Sequence, residues 1–554
     1  ALHSLIKAEL VSQNSVAQQP KIKDSGLLRS SGVVSFFTML SRFMGLARDI
    51  IFARVIGAEA LADVFFVAFK IPNFFRRLFA EGAFAQAFVP ILGEYREKGS
   101  QAAVKALIDR VTGTLGISLL ALTLVIVAAS PVMAGIFAPK WFFDDPAKFA
   151  ATADMLRITF PYLLFISMTG VAGGILNSYD RFAVPAFTPL LLNVTLIAAA
   201  LIAAPLFAEP AYALAWGVFM AGVVQLIFQL PFLHRIHMLP TPKVDWQDSG
   251  VRKILALMGP AIFGVSVSQI NLLLDTMLAT FLPTGSVSWL YYSDRLSELP
   301  LGVFAVAIAT VILPNLSRHH AAESKQAFSE TLDWALKLVL IIAVPAAAAL
   351  MLLAEPILVT LFYYGDVMTA RDMSMATLSL RAYAAGLVAF MLIKVLAPGF
   401  FARQDMRTPV RIGVIAMVSN MLLNLLFVLP LHHYWQIGHM GLAAATSVSA
   451  FLNAGLLYVF LRKNNIYSPS AHWLRFSLSL ILSLSAMVAV LILVANQLNA
   501  NDSVFWQQLV WWQRVANIAG LCLAGFVTYI GCLFITGFRL ADLRGPAKVT
   551  SSEN

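Results

Sequence analysis

The chain has 554 residues, 59% of them hydrophobic and only 12% charged, about half the charged share of an ordinary soluble domain. A mean hydropathy of +0.79 excludes a soluble globular protein. The net charge of +10 would suit a nucleic-acid partner, but the placement of Lys and Arg along the chain gives it another origin.

Residues 1–30 are polar, with Lys7, Lys21, Lys23 and Arg29 and no apolar stretch of signal-peptide type, and read as a flexible cytoplasmic tail. Apolar runs then recur to the end of the chain. Each is near the roughly 20 residues that cross a ~30 Å hydrocarbon core, and all are too long and too uniform for barrel strands. The reading is an all-α integral membrane protein of about 14 spans: 33–57, 62–92, 108–136, 153–175, 184–205, 211–234, 253–281, 286–316, 331–354, 378–402, 408–430, 438–461, 471–496 and 511–538. With the tail inside, the inside segments collect 25 of the 39 Lys and Arg. The outside segments hold only Lys140, Lys148, Arg371 and Arg514. That is the positive-inside pattern. It places both termini in the cytoplasm and removes the need for nucleic acid. Cys522 and Cys532 lie ten apart in one apolar run, about 15 Å along a helix, too far for a disulfide; they read as small core residues.

Four landmarks repeat in order. Pro131 and Pro356 open similar motifs, Leu156-Arg157 recurs as Leu380-Arg381, Asp180 matches Asp405, and Pro90 matches Pro314. The offsets are 224 or 225 residues. Two six-helix lobes related by internal duplication follow, with parallel orientation. The expected units are the tail 1–30, an N-lobe 31–245, a C-lobe 246–465, a final helix pair 466–540 and a cytoplasmic C-terminal tail 541–554.

The first two spans carry Arg42, Arg48, Asp49, Arg54, Asp63, Lys70, Arg76, Arg77 and Glu81, and the second half adds Asp275, Asp294, Arg295, Glu298, Arg381 and Lys394. Each charge at mid-bilayer costs about 2.5–3.5 kcal/mol. Arg54 and Asp63 lie near a helix end, where a side chain can snorkel. Of the neighbours Arg76 and Arg77, one should face away from any cavity the other lines, since they stand about 100° apart on a helix. Arg42, Arg48, Arg76 and Arg295 together suggest a ring of cations around a water-filled cavity. The acids are too few to neutralise all of them. Arginine forks take phosphate oxygens bidentately, so an anionic cargo such as a pyrophosphate fits the ring. Gly45, Pro72, Gly82 and Pro300 interrupt the same helices, as expected where spans bend around a cavity.

The segments SRFMGLARD (41–49), ADVFFVAFKIPNFFRRLFAEGAF (62–84), GSVSWLYYSDRLSELP (285–300) and KVLAPGFFARQDMRTP (394–409) resemble the MurJ (MviN) family of lipid II flippases, in the multidrug/oligosaccharidyl-lipid/polysaccharide exporter superfamily. The resemblance runs from about residue 30 to the end. It implies a transporter, not an enzyme, in the bacterial inner membrane. Such a protein moves undecaprenyl-pyrophosphate-linked peptidoglycan precursor between leaflets by alternating access, with the last two helices forming a groove for the lipid tail. It puts the substrate-binding arginines on Arg42, Arg48, Arg76 and Arg295, and gate acids on Asp63, Asp294 and Glu298. It also offers sodium as a coupling ion, on Asp275, Asn420, Asn424 and Thr446; the same polar residues would serve as interhelical hydrogen bonds. No other cofactor is expected. Lipid II, membrane lipid and the cell-wall synthesis or division machinery are the implied partners. A flippase for another polyprenyl-pyrophosphate oligosaccharide (O-antigen type), a cation-coupled drug antiporter and a non-transporting scaffold are the alternatives.

Overall fold

The computed structural model describes residues 24–78, 84–322, 324–364, 367–500 and 503–539. Glu81, Gly82, most of the expected N-terminal tail and the tail from 541 onward lie outside these. The described residues form helices and connecting turns, with no strand. In lipid this is forced, because every backbone N–H and C=O must be paired within its own segment.

In chain order the first half comprises α1 (Asp24–Val55), α2 (Ala60–Arg76), α3 (Phe84–Lys98), α4 (Gln101–Ala128), α5 (Ser130–Phe137), α6 (Pro139–Asp144), α7 (Pro146–Thr159), α8 (Tyr162–Ser178), α9 (Ala183–Ala198) and α10 (Pro210–Arg235). The second half comprises α11 (Ser249–Ala279), α12 (Ser286–Pro300), α13 (Val306–Ala321), α14 (Lys325–Leu352), α15 (Ala354–Phe362), α16 (Ala370–Phe401), α17 (Arg407–Trp435) and α18 (Gly438–Lys463). The chain closes with α19 (Trp473–Gln497), the short α20 (Ser503–Gln508) and α21 (Trp511–Ile535). Helix α1 starts at Asp24, earlier than the tail boundary at residue 30.

Ten helical stretches are long and apolar enough to cross a membrane, and each coincides with one of the expected spans. The other four expected spans, 33–57, 62–92, 253–281 and 286–316, fall on α1, α2–α3, α11 and α12–α13. These are the helices that carry most of the intramembrane charge. Two are also broken: the α-helix of α2 ends at Arg76, and a π-helical turn at Leu301–Ala305 separates α12 from α13.

The duplication is visible in the helix boundaries. Gln101, Ser130, Pro146 and Ala183 open α4, α5, α7 and α9, and Lys325, Ala354, Ala370 and Arg407 open α14, α15, α16 and α17 at a constant offset of 224 residues. Packing repeats as well: α8 on α10 and α9 on α10 in the first half, α16 on α18 and α17 on α18 in the second. Helices α8 and α16 end on left-handed residues, Asp180 (φ 59°) and Gln404 (φ 61°). The next amide of each closes a Schellman bond, Arg181 to the Leu176 carbonyl and Asp405 to the Phe400 carbonyl. The structural partner of Asp180 is therefore Gln404, one residue before the sequence match at Asp405.

Three apolar cores position the site. One joins both halves at the end of the bundle that holds Asp63, through Phe52, Phe65 and Phe66 of the first half and Tyr291, Tyr292 and Phe362 of the second. Toward the opposite end, which holds Glu94, the second half has its own core around Leu332, Leu387 and Leu457. The first half has another around Phe88, Leu107 and Leu176, shared with Val251 and Ile254 of α11. The halves are fused at one end, while at the other each has its own core and α11 bridges to the first half. Helices α19 and α21 pack on each other and on α14, where Tyr529 donates to the Ile341 carbonyl at 2.9 Å. Cys522 is exposed on α21, so it is a surface residue rather than the core residue expected, because the outer face of a peripheral helix meets lipid.

Candidate functional site

Between the halves lies a cavity of about 940 Å³ lined from α1, α2, α3, α8, α9, α10, α11, α12, α16 and α18. All four predicted binding arginines, Arg42, Arg48, Arg76 and Arg295, line it, with Lys70, Arg77 and Lys394. The acids on its wall are Asp49, Asp275, Asp294 and Glu298. Cations outnumber acids, so the cavity as a whole favours an anion.

Arg48 is 5% exposed and held by three side chains. Its Nε and Nη2 donate to Asp49 Oδ1 at 2.9 and 2.7 Å, Nη1 to Asn193 Oδ1 at 3.0 Å and Nη2 to the Tyr291 hydroxyl at 3.2 Å. Tyr291 in turn donates to Asp49 at 2.9 Å. Arg295 lies over the Tyr291 ring at 5.1 Å, 3.7 Å from Asp49, and donates to Glu298 at 3.0 Å. A fixed Arg48 and a partly exposed Arg295 thus flank one carboxylate. Arg42 passes against the π-turn between α12 and α13, where a Cβ at Gly302 would overlap its guanidinium; Gly302 makes room for it. Arg76 donates to Asn73 at 3.1 Å and Arg77 to Gln269 at 3.5 Å. Both neighbours line the cavity, contrary to the 100° expectation. The helix loosens to a π-turn at Arg77–Leu78, which changes the angle between them, and the cavity is broad.

The gate acids divide. Asp294 and Glu298 face the cavity. Asp63 does not line it and does not snorkel: it is 1% exposed and caps α12 from another helix. Its carboxylate accepts the Gly285 amide at 2.7 Å, the Ser288 amide at 2.9 Å and the Ser288 hydroxyl at 2.7 Å, with Lys148 at 3.8 Å. A carboxylate on a helix N-terminus satisfies orphan N–H groups and meets the positive end of the dipole. Around it, Tyr292 donates to the Gly57 carbonyl at 3.0 Å, Lys140 to the Phe281 carbonyl at 2.8 Å and Lys148 to Thr284 at 3.0 Å. Phe66 stacks on Tyr291 at 3.9 Å. The Asp63 end is closed by this seam.

Asp275, Asn420, Asn424 and Thr446 come together as one cluster. Asn424 donates to the Asp275 carboxylate at 2.7 Å, Asn420 at 3.3 Å and Thr446 at 3.2 Å. The side-chain oxygens of Asn420 and Asn424 are buried without a partner. Amide oxygen and nitrogen are interchangeable by a half-turn, so the cluster can present four hard oxygen donors, a set suited to a small cation. No group of three or more His, Cys, Asp or Glu is gathered anywhere among the described residues, so a transition-metal site of that kind is not formed there.

Asp49 and Lys70 stood among the intramembrane charges without a role, Tyr291 was marked only by its place in the segment 285–300, and Asn193 and Gly302 were not singled out. Asn193 lies 145 positions from Arg48. A polar residue in an apolar span is the only flag the sequence raises for it.

The family model for "Lipid II flippase MurJ" matches residues 52–510. A probable lipid II flippase MurJ of Vibrio cholerae serotype O1 is 47% identical over 94% of this chain and 98% of its own length. The lipid II flippase MurJ of Burkholderia cenocepacia is 42% identical, over 94% and 100%. Among solved structures, a lipid II flippase MurJ in an inward closed conformation superposes with a TM-score of 0.74 at 25% identity, over 91% of this chain and 98% of that one. An inward-facing multidrug transporter of the MATE family shares the fold, at a TM-score of 0.62 and 15% identity, over 78% and 97%.

Proposed function

The chain belongs to the lipid II flippase MurJ family, and from that premise we propose how its residues move lipid II, the polyprenyl-pyrophosphate-linked peptidoglycan precursor, from the cytoplasmic to the periplasmic leaflet by alternating access. The observation that carries the reading is the convergence of Arg42, Arg48, Arg76 and Arg295 on one cavity with too few acids to neutralise it. We take the Glu94 end as cytoplasmic, in keeping with the positive-inside pattern; both termini then lie in the cytoplasm. The closed seam at Asp63 is then the periplasmic gate, and the cavity receives the headgroup from the cytoplasmic side.

Arg48, already fixed by Asp49, Asn193 and Tyr291, meets the pyrophosphate with little further ordering. Arg295 exchanges Glu298 for phosphate oxygens. The polyprenyl tail stays outside, along α19 and α21; the groove between these helices and α14 sets Leu338, Ile341 and Phe476 beside charged residues that include Lys325, Asp333, Lys337 and Arg475. Opening the Asp63 seam and closing the Glu94 end then presents the headgroup to the periplasm. Asp275, Asn420, Asn424 and Thr446 would hold a sodium ion, whose gradient supplies driving force; the membrane potential adds about 2.3 kcal/mol per charge at 100 mV. The excess of arginine disfavours a cationic drug as cargo.

The test is a leaflet-specific lipid II assay in cells that depend on this chain. Arg48→Ala and Arg295→Ala should each leave lipid II on the cytoplasmic side. Normal translocation by every single arginine variant would refute the cavity, and accumulation of an O-antigen-type precursor instead would reassign the cargo.

A further inference from the structure

Lys70 has no part in the scheme above, yet it sits where its two charged clusters meet. Its Nζ donates to Thr276 Oγ1 at 3.1 Å, while that hydroxyl gives its own proton to the Leu272 carbonyl at 2.8 Å. The lysine therefore takes the hydroxyl's free lone pair. Thr276 follows Asp275 directly in α11. Lys70, Asp275, Asp294, Arg295 and Glu298 all line one cavity, where the ammonium is attracted by Asp294, Asp275 and Glu298 and repelled by Arg295. The bond also crosses the molecule. Lys70 stands on α2 of the first half, while Asp275 is held by α17 and α18 of the second.

A cation entering the Asp275 cluster would meet a positive charge already held at the next residue, on the Thr276 hydroxyl. In a partly buried site two like charges at close range cannot share one acid without strong repulsion. We propose that the Lys70 ammonium is a tethered rival of the coupling cation, so that ion entry at Asp275 and release of the Lys70–Thr276 bond are one exchange. The proposal rests on reading the Asp275 cluster as a cation site. The displaced ammonium turns to Asp294 and Glu298. Glu298 now holds Arg295 at 3.0 Å; a second cation at that carboxylate loosens the pair and frees the Arg295 fork for phosphate. Ion binding on one wall thereby undoes a link between the halves and strengthens the anion grip on the other.

The experiment measures equilibrium binding of radioactive sodium to the purified full-length protein in lipid nanodiscs, for wild type, Lys70→Gln, Lys70→Arg and Asp275→Asn. Asp275→Asn should abolish binding. Lys70→Gln should tighten it by about tenfold or more, because the repulsion is gone, whereas Lys70→Arg, which keeps the charge, should stay near wild type. Lys70→Met is the second neutral variant if Lys70→Gln does not fold. Sodium binding that Asp275→Asn abolishes but that is equally tight in the neutral variants and wild type overturns the rivalry and leaves the cation site standing. No binding in wild type or the neutral variants overturns the cation site and the rivalry with it.

Discussion

Arg48 is the most firmly held of the cavity cations, and its holders define what the site does at the scale of single residues. A buried guanidinium is tolerable only when its donors are matched, and Asp49, Asn193 and Tyr291 match them from three helices. Asn193 also donates to the Ser41 carbonyl at 2.9 Å, so it fixes both the backbone and the fork of α1. Asn193→Ala leaves a buried Arg48 N–H short of its partner, a penalty of about 1–3 kcal/mol. Lipid II translocation should fall about tenfold or more while the protein still inserts, as read by the leaflet assay together with membrane abundance. Unchanged translocation would show that Arg48 needs no such support.

At the scale of elements, the decisive feature is the cap that α2 places on α12. Asp63 replaces a local N-cap, since Gly285, the residue before α12, has no side chain to offer and adopts φ 96°. Hydrogen bonds to a charged group contribute about 1.5–3 kcal/mol each, enough to set which end of the transporter is shut. Asp63→Asn weakens these bonds and should shift the resting population toward an open Asp63 end by about tenfold. The readout is labelling of Ser286→Cys, fully buried in the seam, by a membrane-impermeant thiol reagent added from the periplasmic side, with Cys522 and Cys532 replaced by Ser. Equal labelling with and without Asp63→Asn would remove Asp63 from the gate. The Glu94 end is lighter by contrast. There the exposed Lys253–Glu94 pair, at 2.7 Å, holds the Glu94 carboxyl below the usual range through its hydrogen bond and charge, and exposed pairs contribute little to stability.

For the whole molecule, the question is what each half carries when the halves rock. The connecting segment 239–248 is not slack. The Thr241 amide donates to the Asp109 carboxylate at 2.8 Å, the Lys243 amide to the Asp109 carbonyl at 2.9 Å and the Asp245 amide to the Thr114 hydroxyl at 3.1 Å, and Arg110 reaches Asp248 at 2.5 Å. Its backbone lies so close to α4 that a Cβ at Gly113 would overlap Lys243. The segment, with the start of α11, therefore belongs mechanically to the first half, whereas Asp275 near the other end of α11 belongs to the second. Gly113→Ala should lift the segment and raise amide hydrogen exchange over 241–248 by about tenfold, with slower translocation. Exchange that does not change would mean the two halves are not strapped there.

The sequence by itself determined the helices, the duplication and the identity of the charged residues, because these follow from local composition. A 20-residue apolar run in lipid has one backbone solution, and a repeat leaves its spacing in the chain, as Pro131 and Pro356 do. The intramembrane arginines were legible for the same reason: their cost marks them wherever they fold. What the tertiary structure decided was partnership. That Asp63 caps a helix more than 200 residues away, that Arg76 and Arg77 share one cavity, and that Lys70 meets the neighbour of Asp275 all depend on how the two halves close on each other. The packing of α2 against α12 and the π-turns that loosen the helices set those distances, and neither is written in the periodicity of any single span.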